Sequence, residues 1–346
     1  MLFYVVPYLF LAFFALAQYY LKLKDYYRSF LFFLFALPAI SIAVLRGNVG
    51  TDTLNYLQYF GDLNRGVEVH SFEQGFEFLA RGVNSLGFNE RFGVAVMSGL
   101  TSILILGSFS NTKNQIILFS LLLFPVFFYD MTMNGLRYGL SFAISAIALD
   151  FLYKKNNFAF ILLAIAAISI QYSSFLIICV FLIFKLDKKY LIGLGIVILF
   201  FIPFLSLNLT YFYDKQDLYR DVASPGSTSG LGPLILFLSI FISFLFYSGK
   251  ERSTNILFLI LALELGSFML AKITYAGLRF QNLFLFSLII LIKQEYYTIT
   301  KKNEYLMMLI FLGTFGFLLT VKNIGAVVED VNSPFLPYVF FWQEKE

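Results

Sequence analysis

About twelve apolar runs, separated by short polar connections, recur along the chain, and this repetition constrains the fold more than any motif does. A helix needs about 20 residues to cross a hydrocarbon core of about 30 Å, where only helices and closed barrels satisfy their own backbone. The runs are 2–21, 29–45, 92–109, 115–129, 136–153, 158–170, 174–184, 190–206, 232–247, 255–271, 282–292 (extending toward 297) and 305–321. With 59% hydrophobic and 13% charged residues, apolar surface exceeds what one soluble core could bury, which excludes a soluble globular fold. No long polar linker divides the runs. The expectation is a single polytopic membrane domain over 1–346, all-α, with about twelve transmembrane helices.

The basic residues then set an orientation. The first run has no basic leading region and is followed at once by Lys22, Lys24 and Arg28, which predicts an uncleaved span with those residues cytoplasmic. Alternating from there, Lys113, Lys154, Lys155, Lys185, Lys188, Lys189, Lys250, Arg252, Lys293, Lys301 and Lys302 fall inside. Seven of the nine arginines fall outside: Arg46, Arg65, Arg81, Arg91, Arg137, Arg220 and Arg279. Lysines therefore mark topology, and the arginines call for another explanation. The longer polar stretches, 46–91, 207–231 and the tail 322–346, also face outside. Runs 158–170 and 174–184 are each too short to span, so two short helices meeting at Gln171-Tyr172-Ser173-Ser174 below the outer surface are expected, with an outward-facing cavity around that junction.

Several chemistries lack their residues. Cys179 is the only cysteine and His70 the only histidine, which removes disulfides and thiolate metal sites and disfavours acyl transfer or hydrolysis built on an intramembrane histidine. There is no GxxxxGK[ST], GxGxxG, HExxH or DxD motif, so no cofactor and no metal is expected. The net charge of +4 is dispersed by topology, which gives no nucleic-acid footprint.

Three constellations on the outer side remain. The first is Arg46-Gly47-Asn48-Val49-Gly50-Thr51-Asp52, running on to Tyr56, with Glu73-Gln74-Gly75-Phe76 after it. Arg46 can form a bidentate contact to phosphate, and Asp52 or Glu73 can accept a proton from a sugar hydroxyl. Equally, Arg46 can snorkel at a helix end while Asp52 caps the next helix. The second is Asn134-Gly135-Leu136-Arg137, where an arginine opens a span and serves either function or a pair with Asp130. The third is Tyr275-Ala276-Gly277-Leu278-Arg279, in which Arg279 is a phosphate ligand or an interface anchor. Glu264, inside a run, is expected to face the bundle and to find a structural partner such as Lys272.

In their order, Gly50-Thr51-Asp52-x-x-x-Tyr56, Glu73-x-Gly75-Phe76, Asn134-Gly135-x-Arg137, Tyr172-Ser173-Ser174, Arg279 before an apolar run, and Tyr338-x-Phe340-Phe341 resemble the EpsG-like, Wzy-type bacterial polysaccharide polymerases along most of the chain. The resemblance implies a GT-C-like glycosyltransferase architecture in the bacterial cytoplasmic membrane. It also implies undecaprenyl-diphosphate-linked oligosaccharides as donor and acceptor, membrane lipid around the protein, and a polysaccharide chain-length regulator as partner. The candidate catalytic residues are Asp52, Glu73 and Arg137, and the candidate substrate contacts are Arg46, Thr51, Tyr56, Asn134, Gln171, Tyr172, Ser174, Tyr275 and Arg279. The family usually carries histidine where this chain has Gln171, so the proton-accepting role passes to a carboxylate. Two other functions stay open at this point, a lipid-linked oligosaccharide flippase and an O-antigen ligase-like transferase.

Overall fold

The computed structural model describes residues 1–21, 23–67, 72–185, 226, 228–250, 252–326 and 333–343, and among them it is helical throughout, with no strand longer than an isolated bridge. The helices are α1 (Leu2–Tyr20), α2 (Asp25–Val44), α3 (Thr53–Asn64), α4 (Gln74–Asn84), α5 (Glu90–Phe109), α6 (Lys113–Leu118), α7 (Leu136–Tyr153), α8 (Asn157–Ile170), α9 (Ser174–Lys185), α10 (Leu231–Tyr247), α11 (Thr254–Leu270), α12 (Tyr275–Glu295) and α13 (Lys302–Ile324). Among the described residues, six segments are long and apolar enough to cross a membrane: α1, α2, α5, α7, Tyr275–Thr298 and α13. Five shorter apolar helices accompany them. The run at 190–206 lies outside the described residues.

The chain forms two compact units, one of Met1–Phe175 with Lys301–Glu346 and one of Leu176–Thr300. In the first unit, helix starts follow from side-chain caps. Asn89 accepts from the Phe92 amide at 3.0 Å, Thr112 from Gln115 at 3.3 Å and Asn156 from Ala159 at 3.2 Å, each satisfying an orphan donor of the first turn. The run at 115–129 is not a plain α-helix. After α6 the backbone winds more widely over Phe119–Phe128 and again over Asp130–Asn134. Pro125 lacks the amide that a regular turn needs, and the Thr320 hydroxyl of α13 donates to its carbonyl at 2.8 Å.

Between α2 and α5 lie two helices, α3 and α4, that the apolar runs did not reveal. Tyr56, Tyr59, Phe60 and Leu63 recur at helical spacing along α3, as Phe76 and Ala80 do on α4. Their apolar faces pack into one cluster with Val94 and Met97 of α5, Leu136, Leu140 and Ile144 of α7, and Ala167 and Ile170 of α8. Gly75 lets α4 close on α8, since a Cβ there would lie 2.7 Å from the Ser169 carbonyl carbon. This packing brings the start of α4 to the start of α7.

The C-terminal segment returns to the end of α2. Gly50 donates to the Pro334 carbonyl and Gly47 to Val339, both at 2.9 Å, while Phe341 donates to Leu45 at 3.1 Å. Tyr338 anchors this strap by donating to the Ile42 carbonyl at 2.8 Å.

In the second unit, Glu264 is fully buried, as expected of an intramembrane carboxylate, but its partner is Gln281 and not Lys272. Gln281 Nε2 donates to Glu264 Oε1 at 2.9 Å and to the Gly230 carbonyl at 3.1 Å. Lys272 instead donates to the Ser229 carbonyl at 2.8 Å and lies 4.3 Å from the Phe268 ring. An ammonium can leave the apolar interior by a short stem movement, whereas an amide is cheaper to bury beside a carboxyl. Helix α12 begins at Tyr275, capped by Thr274, so Arg279 lies inside the helix instead of ahead of it.

Candidate active site

The charged centre of the first unit is built where α3, α4 and α7 begin. Glu73 occupies the N-cap position of α4 and is 3% exposed; Arg137 is the second residue of α7. Arg137 Nη1 donates to Glu73 Oε2, and its guanidinium carbon lies 4.3 Å from the centroid of the Phe72 ring. The Tyr56 phenol lies within electrostatic reach of Arg137. Burial raises the Tyr56 pKa, an effect that Arg137 opposes and Asp52 adds to, so the phenol stays a neutral hydroxyl. Arg137 was open to pairing with Asp130 or to function. Its ion pair is with Glu73, whereas Asp130 accepts from Asn134 Nδ2 at 3.1 Å and from the Tyr138 hydroxyl.

Asp52 stands just before α3, half-buried, and makes no side-chain capping bond to that helix. Capping therefore does not account for it. The turn before it is set by Gly50 at φ +109°, where a Cβ would meet the Met133 carbonyl at 2.9 Å, the Thr53 hydroxyl at 3.0 Å and Asn134 Oδ1 at 3.1 Å. The exposed Thr51 contributes its amide, which donates to Asn134 Oδ1 at 3.1 Å. Asn134 thereby joins the 50–53 turn to Asp130 and fixes the loop instead of facing outward.

Arg46 is a strut. It is 4% exposed, and its guanidinium donates to Thr53 Oγ1 at 3.2 Å, Ser98 Oγ at 2.7 Å, the Thr132 carbonyl at 3.1 Å and the Ala43 carbonyl. The end of α2, the start of α3, the middle of α5 and the widened turn at 130–134 are tied by this one side chain. Burial lowers its pKa to about 10, and the neighbouring phenols of Tyr338, Tyr56 and Tyr4 counteract that.

At the α8–α9 junction, two short helices do meet at Gln171-Tyr172-Ser173, with Gln171 closing α8 in an extended conformation. Gln171 and Tyr172 are half-buried, and Tyr172 lies within electrostatic reach of Glu73 and Glu77. Ser174 is fully buried, its hydroxyl bonded to that of Ser141 on α7, which makes it a helix-packing contact. Tyr275 and Arg279 belong to the second unit, Tyr275 half-buried and Arg279 exposed.

Four residues near this centre escaped the sequence reading: Phe72, Glu77, Ser98 and Thr132. Glu77, four residues after Glu73, accepts from the Phe72 amide at 3.3 Å. Its spacing was a readable signal, because i and i+4 share a helix face. Ser98 carried none, since a serine inside an apolar run ordinarily bonds back to its own helix, and Thr132 carried none because it meets Arg46 through its backbone carbonyl, which every residue has. Among the described residues, no three His, Cys, Asp or Glu side chains stand close enough to hold a metal ion.

A chain that is helical in its described residues, with six membrane-length helices among them and a charged pair shielded where α4 and α7 start, has the build of a multi-pass membrane protein. The family model of the EpsG family matches residues 29–340. The chain is therefore a member of the EpsG family, a polysaccharide polymerase-like group. Comparison with curated proteins and with solved structures returns no match.

Proposed function

We propose that this protein is a polysaccharide polymerase. It transfers an undecaprenyl-diphosphate-linked glycan onto a lipid-linked repeat unit at the outer face of the bacterial cytoplasmic membrane, in O-antigen or exopolysaccharide synthesis, with a GT-C-like helical scaffold of about twelve spans. The observation that carries this reading is the placement of Arg137, Glu73, Tyr56 and Asp52 together at three helix starts.

The reaction needs three things: charge to receive the leaving diphosphate, a base for the acceptor hydroxyl, and alignment of two lipid-linked substrates. Arg137 supplies the first, because a guanidinium fork matches paired phosphate oxygens. A guanidinium carries this charge at any physiological pH. Asp52 supplies the second. Of the two carboxylates, Glu73 already faces Arg137, whereas Asp52 sits on a rigid turn without a capping bond. The acceptor oxygen gives its proton to Asp52 and forms a bond to the anomeric carbon. The bond from that carbon to the diphosphate oxygen breaks, and its electron pair leaves with the diphosphate.

Arg46 and Asn134 hold the Asp52 turn in place, acting through it and not on substrate. The test is glycan laddering in a deletion strain complemented with the wild-type chain. Single repeats without a ladder in the deletion, restored by the chain, are expected. Complete loss of externally displayed lipid-linked glycan in the deletion would instead indicate a flippase.

A further inference from the structure

An anion arriving at Arg137 meets a guanidinium that already faces a carboxylate. The Glu73 side chain is 1% exposed and that of Arg137 12%, so the pair is largely shielded from water and neither charge is screened as a surface ion pair would be. We propose that Glu73 is an intramolecular counter-ion that competes with the substrate's diphosphate for Arg137, so that donor binding and release of the Glu73 carboxylate are a single exchange. The proposal rests on the polymerase reading above and adds to it a control on the same site.

Three observations support the exchange. First, Arg137 lies against the Phe72 ring with its side chain only 12% exposed, and a shielded cation left without a counter-ion is costly, so an internal anion beside it is favoured. Second, both ends of the pair lie at helix N-termini, Glu73 at the cap of α4 and Arg137 in the first turn of α7. A released Glu73 stays at the positive end of α4, and an incoming diphosphate at the positive end of α7, so neither anion is stranded. Third, one face of the guanidinium is held by Phe72, which keeps its plane fixed while its anionic partner changes. A diphosphate, with two adjacent charged groups and paired acceptors, outcompetes a single carboxylate for such a fork.

The exchange is tested with inorganic pyrophosphate as probe, titrated calorimetrically into the purified full-length protein in detergent micelles. Glu73→Gln keeps the shape of the side chain and removes its charge. Pyrophosphate is expected to bind this variant roughly tenfold tighter than wild type, the factor that corresponds to one partly buried charge interaction of about 1.4 kcal/mol. Asp62→Asn removes a carboxylate of the exposed Asp62–Arg65 pair on α3 and is expected to stay within about twofold of wild type, as for a solvent-screened charge. Equal or weaker binding by Glu73→Gln overturns the exchange, and so does an equal gain from Asp62→Asn, which would reduce the effect to a general field.

If Glu73→Gln does not fold, Glu73→Asp decides in its place, because a shorter side chain holds Arg137 less well. Tighter binding supports the exchange, and unchanged or weaker binding overturns it. Polymerisation of lipid-linked repeats by the wild-type protein is measured alongside. Wild type that polymerises, with no tightening in the variants, overturns the exchange and leaves the polymerase standing. Wild type that makes no polymer overturns the polymerase reading itself.

Discussion

Glu73 and Arg137, 64 residues apart in sequence, close an ion pair at the adjoining starts of α4 and α7. The pair exists because the amphipathic α3 and α4 pack their apolar faces on α5, α7 and α8 and carry Glu73 with them. Its behaviour on substitution separates structural from chemical roles.

Arg137→Ala leaves Glu73 buried without its guanidinium and is expected to destabilise the protein by about 3–5 kcal/mol, the usual cost of breaking a buried pair from one side. Arg137→Lys keeps the charge and loses the fork. Thermal unfolding in detergent should show Lys near wild type and Ala well below it. The rate of polymerisation should fall in both, by about 2–4 kcal/mol of barrier for Lys if a preorganised donor is lost. A fully active Arg137→Lys would remove this residue from the diphosphate clamp.

Arg46 gives the opposite pattern. Its guanidinium reaches Thr53, Ser98, Ala43 and Thr132 at once, which an ammonium cannot do. Arg46→Lys should therefore cost about 2–3 kcal/mol of stability, on the scale of one or two hydrogen bonds to a charged group. Pyrophosphate affinity of the folded fraction should be unchanged. Loss of affinity without loss of stability would return Arg46 to the clamp.

Gly50→Ala places a side chain at φ +109° against the Met133 carbonyl. The strain of such a conformation is about 1–3 kcal/mol. Because Asp52 follows on the same turn, activity should drop further than unfolding temperature would explain. Comparison of specific activity at matched folded fraction checks this.

Orientation is tested with Cys179 replaced and single cysteines introduced at Asn64, Ser227 or Asn332. All three are assigned outside by the charge pattern, so an impermeant thiol reagent should label each in spheroplasts. Ser227 and Asn332 lie outside the described residues, while Asn64 ends α3. Labelling only after lysis would invert the topology and move the Asp52 turn to the cytoplasm.

Much of the scaffold was legible in sequence because a membrane crossing imposes a length: the run 136–153 coincides with α7, and 2–21 differs from α1 by one residue. The short helices α3 and α4 were not, because amphipathic segments of 12 and 11 residues read as a polar loop when only apolar length is sought. The residue types of the site were legible, since Asp52, Glu73, Arg137 and Tyr56 do gather. Their pairing was not. Asp130 is closer to Arg137 in sequence, yet Arg137 pairs with Glu73, brought there by the packing of α4. Glu264 and Lys272 fail as a pair for a related reason, because sequence proximity ignores the amide that α12 inserts beside the carboxylate.

If Asp52 takes the acceptor proton while Arg137 receives the diphosphate, Asp52→Asn separates the two roles in a purified polymerisation assay with lipid-linked repeat units, with pyrophosphate binding measured on the same preparation. The expected result is a folded protein that binds pyrophosphate as wild type does and elongates about 10²–10⁴-fold more slowly, the contribution typical of a general base. Polymer of wild-type length formed at wild-type rate by Asp52→Asn would contradict it.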